Sequence, residues 1–192
     1  MLLLVSMQLL REHFSDNQIK RAFSSFSCRR DEDIEMFAKR RAMRFEKASK
    51  SRTYLFVDDA VLSGGVLEFI AFFTMAPQIL HLPEGLTPEQ IKELDGISDS
   101  IHGKRLSSLP VVLIGQLARA DEYSSISGDE MLSCALGIAT EVHHAIGGRI
   151  VMVDVKTQAP GLIHFYERNG FRKISDDLDT GLSQMIYMLG DR

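Results

Sequence analysis

The first third of the chain alternates between short apolar runs and polar segments, a pattern that predicts a strand, a helix and a hairpin. The run Ile19–Phe26 predicts a strand. Apolar residues then recur at helical spacing from Ile34 to Ser49, which predicts a helix with one buried stripe and a basic outer face. Two further runs, Thr53–Val57 and Val66–Thr74, predict a hairpin joined by Asp and Gly turn residues within 58–65.

The middle of the chain is more polar and carries many turn signals. This segment extends from about Gln78 to Leu109, and within it Thr87-Pro88-Glu89-Gln90 predicts the start of a short helix with an acidic first turn. We expect the segment to be an insertion or a loop on the substrate side of the fold.

The second half of the chain predicts a strand, a long helix and another strand. Val111–Ala118 is almost continuously apolar, as in a central strand covered on both faces. A polar loop leads to a helical pattern at Asp129–Ala145 and then to an apolar strand at Arg149–Val155. Because this crossover joins two buried strands, we predict an α/β fold with a mixed central sheet flanked by helices. A short helix at Gly161–Asn169 and a strand at Ser183–Leu189 complete the pattern.

Composition favours a single domain over residues 1–192 and restricts the chemistry. The chain has 45% hydrophobic residues and a net charge of −4, which neither requires nor excludes a nucleic-acid partner. Cys28 and Cys134 are far apart in sequence and have no metal-ligand spacing. We therefore expect reduced thiols and no metal.

The opening segment and the absence of long apolar runs predict a soluble, cytoplasmic protein. Met1–Val5 is apolar but lacks a basic region and a cleavage site, so we interpret it as a short helix or an ordered terminus rather than a signal peptide. No later run approaches the roughly 20 apolar residues that span a bilayer, and we expect no membrane association.

Four segments carry a resemblance to a known family. They are Ser51–Val57, Leu109–Ala118, Val153–Lys156 and Phe165–Phe171, the last reading Phe-Tyr-Glu-Arg-Asn-Gly-Phe. In this order and spacing the chain resembles the GCN5-related N-acetyltransferases over roughly residues 19 to 189. Within that family it is most similar to the acetyltransferase toxins of bacterial toxin–antitoxin pairs, which acetylate the amino group of aminoacyl-tRNA. The resemblance implies splayed middle strands and acetyl-CoA as cosubstrate.

The resemblance also implies two parts of an active site. The main chain of Leu117, Ala118 and Arg119 would bind the pantetheine arm of acetyl-CoA as if it were another strand. Tyr166 would donate a proton to the leaving thiolate, because a phenol with a pKa near ~10 holds its proton at neutral pH. The alternative for Tyr166 is a packing residue with its hydroxyl at the surface.

By the same resemblance, the pyrophosphate of CoA would lie at the loop that starts the long helix, where free amides and the helix dipole favour an anion. The loop positions are Ser124, Ser125, Ile126, Ser127, Gly128 and Asp129. The family usually has Arg or Gln, two residues, Gly, one residue, then Gly or Ala, whereas this chain has Tyr123, Ile126 and Gly128 at those places. Only the last glycine is retained, so a member of the fold that binds without catalysing is an alternative.

One segment of the chain is strongly basic. We call it the basic stripe, and it consists of Lys39, Arg40, Arg41, Arg44, Lys47, Lys50 and Arg52. These side chains could bind RNA phosphates, and the resemblance implies aminoacyl-tRNA as the RNA. The alternative is an ordinary solvated helix face. An antitoxin with an acidic segment could cover the same stripe, and a homodimer is left open.

Three functions therefore remain open at the level of sequence. The first is acetylation of aminoacyl-tRNA. The second is acetylation of a small amine or a protein N-terminus, for which the basic stripe would be incidental. The third is a binding or regulatory module that keeps the fold without the transfer reaction.

Overall fold

The computed structural model describes residues 1–190. The strands are β1 (Leu2–Ser6), β2 (Arg52–Asp58), β3 (Phe69–His81), β4 (Ser100–Ile101), β5 (Lys104–Arg105), β6 (Ser108–Arg119), β7 (Ile150–Lys156), β8 (Arg172–Asp177) and β9 (Leu182–Met188). The helices are α1 (Met7–His13), α2 (Asp16–Ser25), α3 (Glu32–Arg40), α4 (Ala42–Lys47), α5 (Asp59–Ser63), α6 (Pro88–Asp95), α7 (Gly128–Ile146) and α8 (Pro160–Arg168).

The main sheet has seven strands in the order β1-β2-β3-β6-β7-β9-β8, and β4 and β5 form a separate pair. β6 and β7 pair in parallel, whereas β1–β2, β2–β3, β7–β9 and β8–β9 are antiparallel. The parallel ladder joins Val112 to Val151 and Leu113 to Met152. β7 continues to Lys156 with β9 as its partner. The predicted mixed sheet flanked by helices is thereby confirmed.

Residue contacts group the chain into two compact units. Unit 1 contains Met1–Ala76 and Ile114–Ala135, and unit 2 contains Pro77–Leu113 and the chain from Leu136 onward. The boundaries between them fall inside β3, β6 and α7. The organisation as one domain over residues 1–192 stays a prediction.

The core of unit 1 is built around aromatic rings. Phe23 and Phe26 from the region of α2 pack against Phe69 and Phe72 of β3, with ring centroids between 4.7 and 6.2 Å apart. Residues of α1 to α4 complete this cluster against β2. Such tilted and edge-on ring pairs favour a well-ordered core.

The core of unit 2 lies under the predicted insertion. Ile91 of α6 is fully buried and belongs to the same cluster as Met152 of β7 and Ile186 of β9. The start of α6 is a capping box, in which Thr87 and Gln90 satisfy each other's backbone amides. The predicted short helix is confirmed, and its role is to cover this face of the sheet.

The predicted strand Ile19–Phe26 is wrong, because this run forms most of α2. Ile19, Ala22 and Phe23 recur at the i, i+3, i+4 spacing of a helix face and are all buried. Ser15 begins the helix with a capping box. The apolar content of the run suggested a strand, while its spacing is that of a helix.

Other boundaries also differ from the prediction. The single helix expected at Ile34–Ser49 is two helices that meet at Arg41, which ends α3 and begins α4. The expected turn at 58–65 contains the short helix α5, whose first turn is capped by Asp58. The following strand is Phe69–His81 rather than Val66–Thr74.

The two ends of the fold contain strands that the sequence pattern did not specify. The opening residues form β1, an edge strand paired with β2, so the interpretation as an ordered terminus is confirmed and the short helix is wrong. β8 was not predicted, because its residues are mostly polar and mostly exposed. Within residues 1–190, no helix combines the length and hydrophobicity needed to cross a bilayer.

Candidate active site

The end of β6 is tied to the following loop by Arg119. Ala118 is buried in unit 1, and Leu117 is half-buried. The Arg119 Nη1 donates a hydrogen bond to the carbonyl of Ile126, and its buried Nε has no hydrogen-bond partner among residues 1–190. The Arg119 carbonyl accepts a 3.4 Å bond from Arg30 Nη2. The Arg119 side chain therefore orders the loop, a role additional to the predicted main-chain contact with pantetheine.

The next residues of the loop are fixed through Asp121. Its carboxylate accepts hydrogen bonds from the Arg29 amide (2.8 Å) and the Ser27 hydroxyl (3.2 Å), and its own amide donates to the Ser27 carbonyl (2.9 Å). These two donors, with the charge of Arg30 at 3.9 Å, lower the pKa of Asp121. The carboxylate is thus held ionised, and it joins the loop to the connection between α2 and α3.

The start of α7 is capped by its own sequence. The Ser127 amide and hydroxyl both donate to one carboxylate oxygen of Glu130 at 2.7 Å, and the Glu130 amide donates back to the Ser127 hydroxyl at 3.2 Å. This is a capping box, and the Ser127 amide is the main reason that the pKa of Glu130 is lowered. The donors that a phosphate would need at Ser127 are therefore occupied by Glu130.

The remaining residues predicted for the phosphate loop differ in exposure. Ile126 is buried, with 3% of its surface exposed, and anchors the loop in unit 1. Ser124, Ser125, Gly128 and Asp129 are exposed. An anion at this helix start could use the two exposed serines directly, whereas it could use Ser127 only after displacing Glu130.

Tyr166 lies on α8 and is almost completely buried. Only 6% of it is exposed, and its ring packs edge-on against Phe165 and Phe171 at centroid distances of 5.0 and 5.2 Å. Burial raises the pKa of Tyr166 to about 12. The phenol therefore holds its proton throughout the physiological range, as a general acid requires before the leaving group departs.

The motif around Tyr166 is a helix ending that fixes this packing. The Asn169 side chain donates to the Phe165 carbonyl at 2.8 Å, and the Phe171 amide donates to the Tyr166 carbonyl at 3.0 Å. Gly170 has φ +87°, and a Cβ there would lie 3.2 Å from the ring of Tyr187. A glycine is needed for this reversal, which folds Phe171 back onto Tyr166.

The predicted site residues divide between the two units. Residues 117–129 belong to unit 1, and Tyr166 belongs to unit 2. Each group is well ordered by its own contacts, and their joint role in one reaction stays a prediction.

Asp154 of β7 is a functional candidate to which the sequence analysis gave no role. It lies opposite Gln184 of β9, which hydrogen-bonds it, while Gln184 in turn accepts a 2.9 Å bond from the Ser175 hydroxyl. Partial burial raises the pKa of Asp154, and the charge of Asp177 adds to this effect. The signal in the sequence was a single carboxylate inside an otherwise apolar strand.

The basic stripe is only partly neutralised. Three of its members have acidic partners: Lys39 pairs with Glu35, Lys47 with Asp16, and Arg52 with the buried Glu46. By contrast, the exposed side chains of Arg40, Arg41 and Arg44 form no ion pair with the part of the chain that the structure describes. These three arginines are available to an external anion.

The described residues contain no candidate metal site. No group of three or more His, Cys, Asp or Glu side chains among residues 1–190 is placed to hold a metal ion. Cys28 is a buried free thiol and Cys134 a half-buried one. Burial raises the pKa of both, which disfavours the thiolate form of a nucleophile.

Comparison with known proteins relates the fold to bacterial toxins. No protein-family model and no curated protein sequence matches the chain. A crystal structure of a bacterial toxin is 20% identical with a TM-score of 0.68, covering 98% of this chain and 91% of that one. AtaT complexed with acetyl-methionyl-tRNAfMet is 14% identical with a TM-score of 0.69, covering 98% and 95%. A tyrosine-to-phenylalanine mutant of the toxin AtaT, bound to acetyl-CoA and the C-terminus of the antitoxin AtaR, is 12% identical with a TM-score of 0.64, covering 98% and 94%. The chain shares the fold of these toxins over nearly its whole length.

Proposed function

We propose that the protein is an acetyl-CoA-dependent N-acetyltransferase whose acceptor is the amino group of aminoacyl-tRNA. The observation that carries this proposal is the buried, protonated Tyr166 at the end of α8. The shared fold supports it, because AtaT has been solved with acetyl-methionyl-tRNAfMet and, as a mutant, with acetyl-CoA.

In this mechanism an uncharged amine attacks the thioester carbonyl, a C–N bond forms and the C–S bond breaks. After the attack the positively charged nitrogen loses one N–H proton to water. Tyr166 donates its proton to the departing thiolate, and the phenolate then recovers a proton from solvent. No nucleophilic side chain is needed, since the bound geometry and polarisation of the carbonyl supply much of the rate. In unit 1, the β6 main chain at Leu117–Arg119 would hold the pantetheine arm, and Ser124 and Ser125 would bind phosphate oxygens.

The basic stripe supports tRNA as the acceptor. Arg40, Arg41 and Arg44 are exposed and carry no acidic partner among the described residues, which suits phosphate binding. AtaT has also been solved with the C-terminus of its antitoxin. Because the three arginines are positively charged, an acidic segment of an antitoxin is a second candidate for this surface. Either ligand would be held mainly by charge and would be sensitive to salt.

The test is thioester consumption in the presence of charged tRNA, with Arg40→Glu/Arg44→Glu as the diagnostic variant. We expect its kcat/KM for charged tRNA to fall by about tenfold or more, with activity on a small primary amine unchanged. Lys92→Glu/Lys104→Glu is the matched control, because it makes the same change in net charge on exposed residues of unit 2. Equal losses in both variants would exclude the stripe as a tRNA site. Activity on small amines alone would favour the second enzyme function.

A second function, a module that binds without transferring, is favoured by one observation. Glu130 occupies the donors of Ser127 at the start of α7. If acetyl-CoA binds and no amine is acetylated by the wild-type protein, this function replaces the enzyme. Calorimetry with acetyl-CoA and a transfer assay on the same sample distinguish the two.

A further inference from the structure

The backbone at the end of β6 turns one carbonyl toward the edge of the strand that faces away from β3. The Ala120 amide donates a 2.9 Å hydrogen bond to the carbonyl of Ile70 on β3. The peptide bond between Arg119 and Ala120 is trans, so the Arg119 carbonyl points in the opposite direction from this amide. The carbonyl therefore lies on the edge of β6 to which the proposed function assigns the pantetheine arm.

Arg30 reaches this edge from the connection between α2 and α3. Its Nη2 donates a 3.4 Å hydrogen bond to the Arg119 carbonyl, which uses only one of the several N–H donors of a guanidinium group. The side chain of Arg119 extends from the same residue to the carbonyl of Ile126. Arg30 is therefore positioned where the edge of β6 meets the loop that starts α7.

Arg29 is fixed beside Arg30 through its backbone. Its amide donates a 2.8 Å hydrogen bond to the Asp121 carboxylate. The guanidinium groups of Arg29 and Arg30 approach this carboxylate only through Nε, at 4.0 and 3.9 Å, beyond hydrogen-bonding distance. Their side chains are 90% and 63% exposed, and Asp121 is their only acidic partner among residues 1–190. One carboxylate thus faces two guanidinium groups, and the pair keeps a net positive charge.

The loop that starts α7 lacks the positive charge that a pyrophosphate requires. The segment from Ala120 to Glu130 contains no Lys or Arg, and it carries four acidic residues, Asp121, Glu122, Asp129 and Glu130. The donors of Ser127 serve Glu130. The exposed hydroxyls of Ser124 and Ser125 can donate hydrogen bonds, but they bring no charge. A cation for the phosphates must therefore come from another segment of the chain.

We propose that Arg29 and Arg30 bind the pyrophosphate of acetyl-CoA. The pyrophosphate is the first charged group beyond the pantetheine arm, and Arg30 stands at the end of the β6 edge that leads toward the start of α7. The connection between α2 and α3 thereby supplies the charge that the loop lacks, while Ser124 and Ser125 add neutral donors. This inference rests on acetyl-CoA as the cosubstrate in the proposed function and is independent of the acceptor.

Calorimetry with acetyl-CoA on Arg29→Gln/Arg30→Gln tests the assignment. We expect the Kd to rise by about tenfold or more, because the variant loses the charged donors to the phosphates. Glutamine keeps the backbone amide that binds Asp121 and a side-chain donor for the Arg119 carbonyl. Thermal unfolding should therefore match that of the wild type. Arg29→Lys/Arg30→Lys keeps both charges and should recover most of the affinity.

A control variant and two ligand analogues sharpen the test. Lys92→Gln/Lys104→Gln makes the same change in net charge on exposed residues of unit 2, and its Kd should stay within about twofold of the wild-type value. Acetyl-dephospho-CoA keeps the pyrophosphate, so the arginine variant should lose as much affinity for it as for acetyl-CoA. S-acetylpantetheine has no phosphate, so both proteins should use it equally well to acetylate a small primary amine.

The outcomes separate this inference from the proposed function. A wild-type Kd in Arg29→Gln/Arg30→Gln would overturn the inference and leave the acetyltransferase intact. A loss of affinity for acetyl-CoA that is absent with acetyl-dephospho-CoA would place the arginines at the 3′-phosphate and overturn the pyrophosphate assignment. An unchanged Kd with a raised KM for charged tRNA would assign them to the acceptor RNA instead. A wild-type protein that binds no acetyl-CoA at millimolar concentration would overturn both proposals.

Discussion

Two acidic residues near the start of α7 and two ionisable residues of unit 2 have pKa values that are shifted in opposite directions. In the loop region, Asp121 and Glu130 accept backbone amides and hydroxyls, which lower their pKa values and keep them ionised. In unit 2, burial raises the pKa values of Tyr166 and Asp154. Hydrogen-bond donors thus stabilise the charged forms of Asp121 and Glu130, whereas desolvation disfavours the charged forms of Tyr166 and Asp154.

This difference suits the two regions to different tasks, namely the binding of CoA phosphates and the transfer of protons. A site for CoA phosphates needs unused donors, and the donors of Ser127 serve Glu130 instead. Proton transfer needs a donor that keeps its proton until the leaving group departs, which burial supplies at Tyr166. We therefore expect substitutions in the loop to change affinity modestly and substitutions in unit 2 to change the rate strongly.

The largest expected effect is that of Tyr166→Phe. Removing the proton donor should lower kcat/KM by roughly 10² to 10⁴, with the Kd of acetyl-CoA unchanged. The ring contacts with Phe165 and Phe171 are kept, so thermal unfolding should change little. Tyr187→Phe, which removes a hydroxyl from the same aromatic row, should retain activity. Full activity in Tyr166→Phe would exclude it as the acid.

A smaller and opposite effect is expected for Glu130→Ala. Removing this carboxylate frees the Ser127 amide and leaves a more positive helix start, so the Kd of acetyl-CoA should fall by roughly twofold to fivefold. The loss of the capping box should at the same time lower the thermal stability slightly. Glu141→Ala, an exposed residue of the same helix, is the control for net charge. Weaker binding in Glu130→Ala would show that the capping box helps to form the site.

The stability of Asp154→Asn tests the cost of a charge at this partly desolvated position. Because the folded pKa of Asp154 is raised, its charged form destabilises the fold at pH values above that pKa. The variant should therefore melt at a slightly higher temperature than the wild type at pH 7, and this advantage should vanish as the pH falls below about 4. A lower melting temperature at pH 7 would mean that Asp154 stabilises the fold instead.

The smallest effect, with the reverse sign, is expected for Asp121→Asn. The lowered pKa of Asp121 means that its charge stabilises the fold above the unfolded pKa of about 4, and this contribution is lost as the pH falls through the lower folded value. The variant should have a slightly lower melting temperature than the wild type at pH 7 and the same melting temperature in acid.

Three of the long elements were predictable because their patterns are repeated over many residues. β6, α7 and β7 lie close to their predicted bounds, since continuous apolar runs and a long helical period leave few alternatives. α2 was predicted as a strand because a short apolar run fits both a strand and a helix. Only the spacing of its buried residues distinguishes the two. β8 depends on pairing with β9, which a local pattern of mostly polar residues does not reveal.

The candidate site was predictable only in part. Tyr166 was found through its motif, and its burial follows from the helix ending at Gly170. The Ser127-x-x-Glu130 spacing is a capping-box signature that was present in the sequence. It would have predicted that Glu130 competes with a phosphate for the donors of Ser127. The role suggested for Arg119 depends on its hydrogen bond to the carbonyl of Ile126 in the following loop, which the local pattern did not indicate.

The way the chain passes between its two units determines how the protein can be divided. The passages occur within β3, β6 and α7, so a cut at any of them would remove a paired strand segment or the middle of a helix. Backbone hydrogen-bonded within regular elements is a poor protease substrate. Limited proteolysis should therefore release neither unit as a stable fragment, and attempts to express either one as a shortened gene should give unfolded protein.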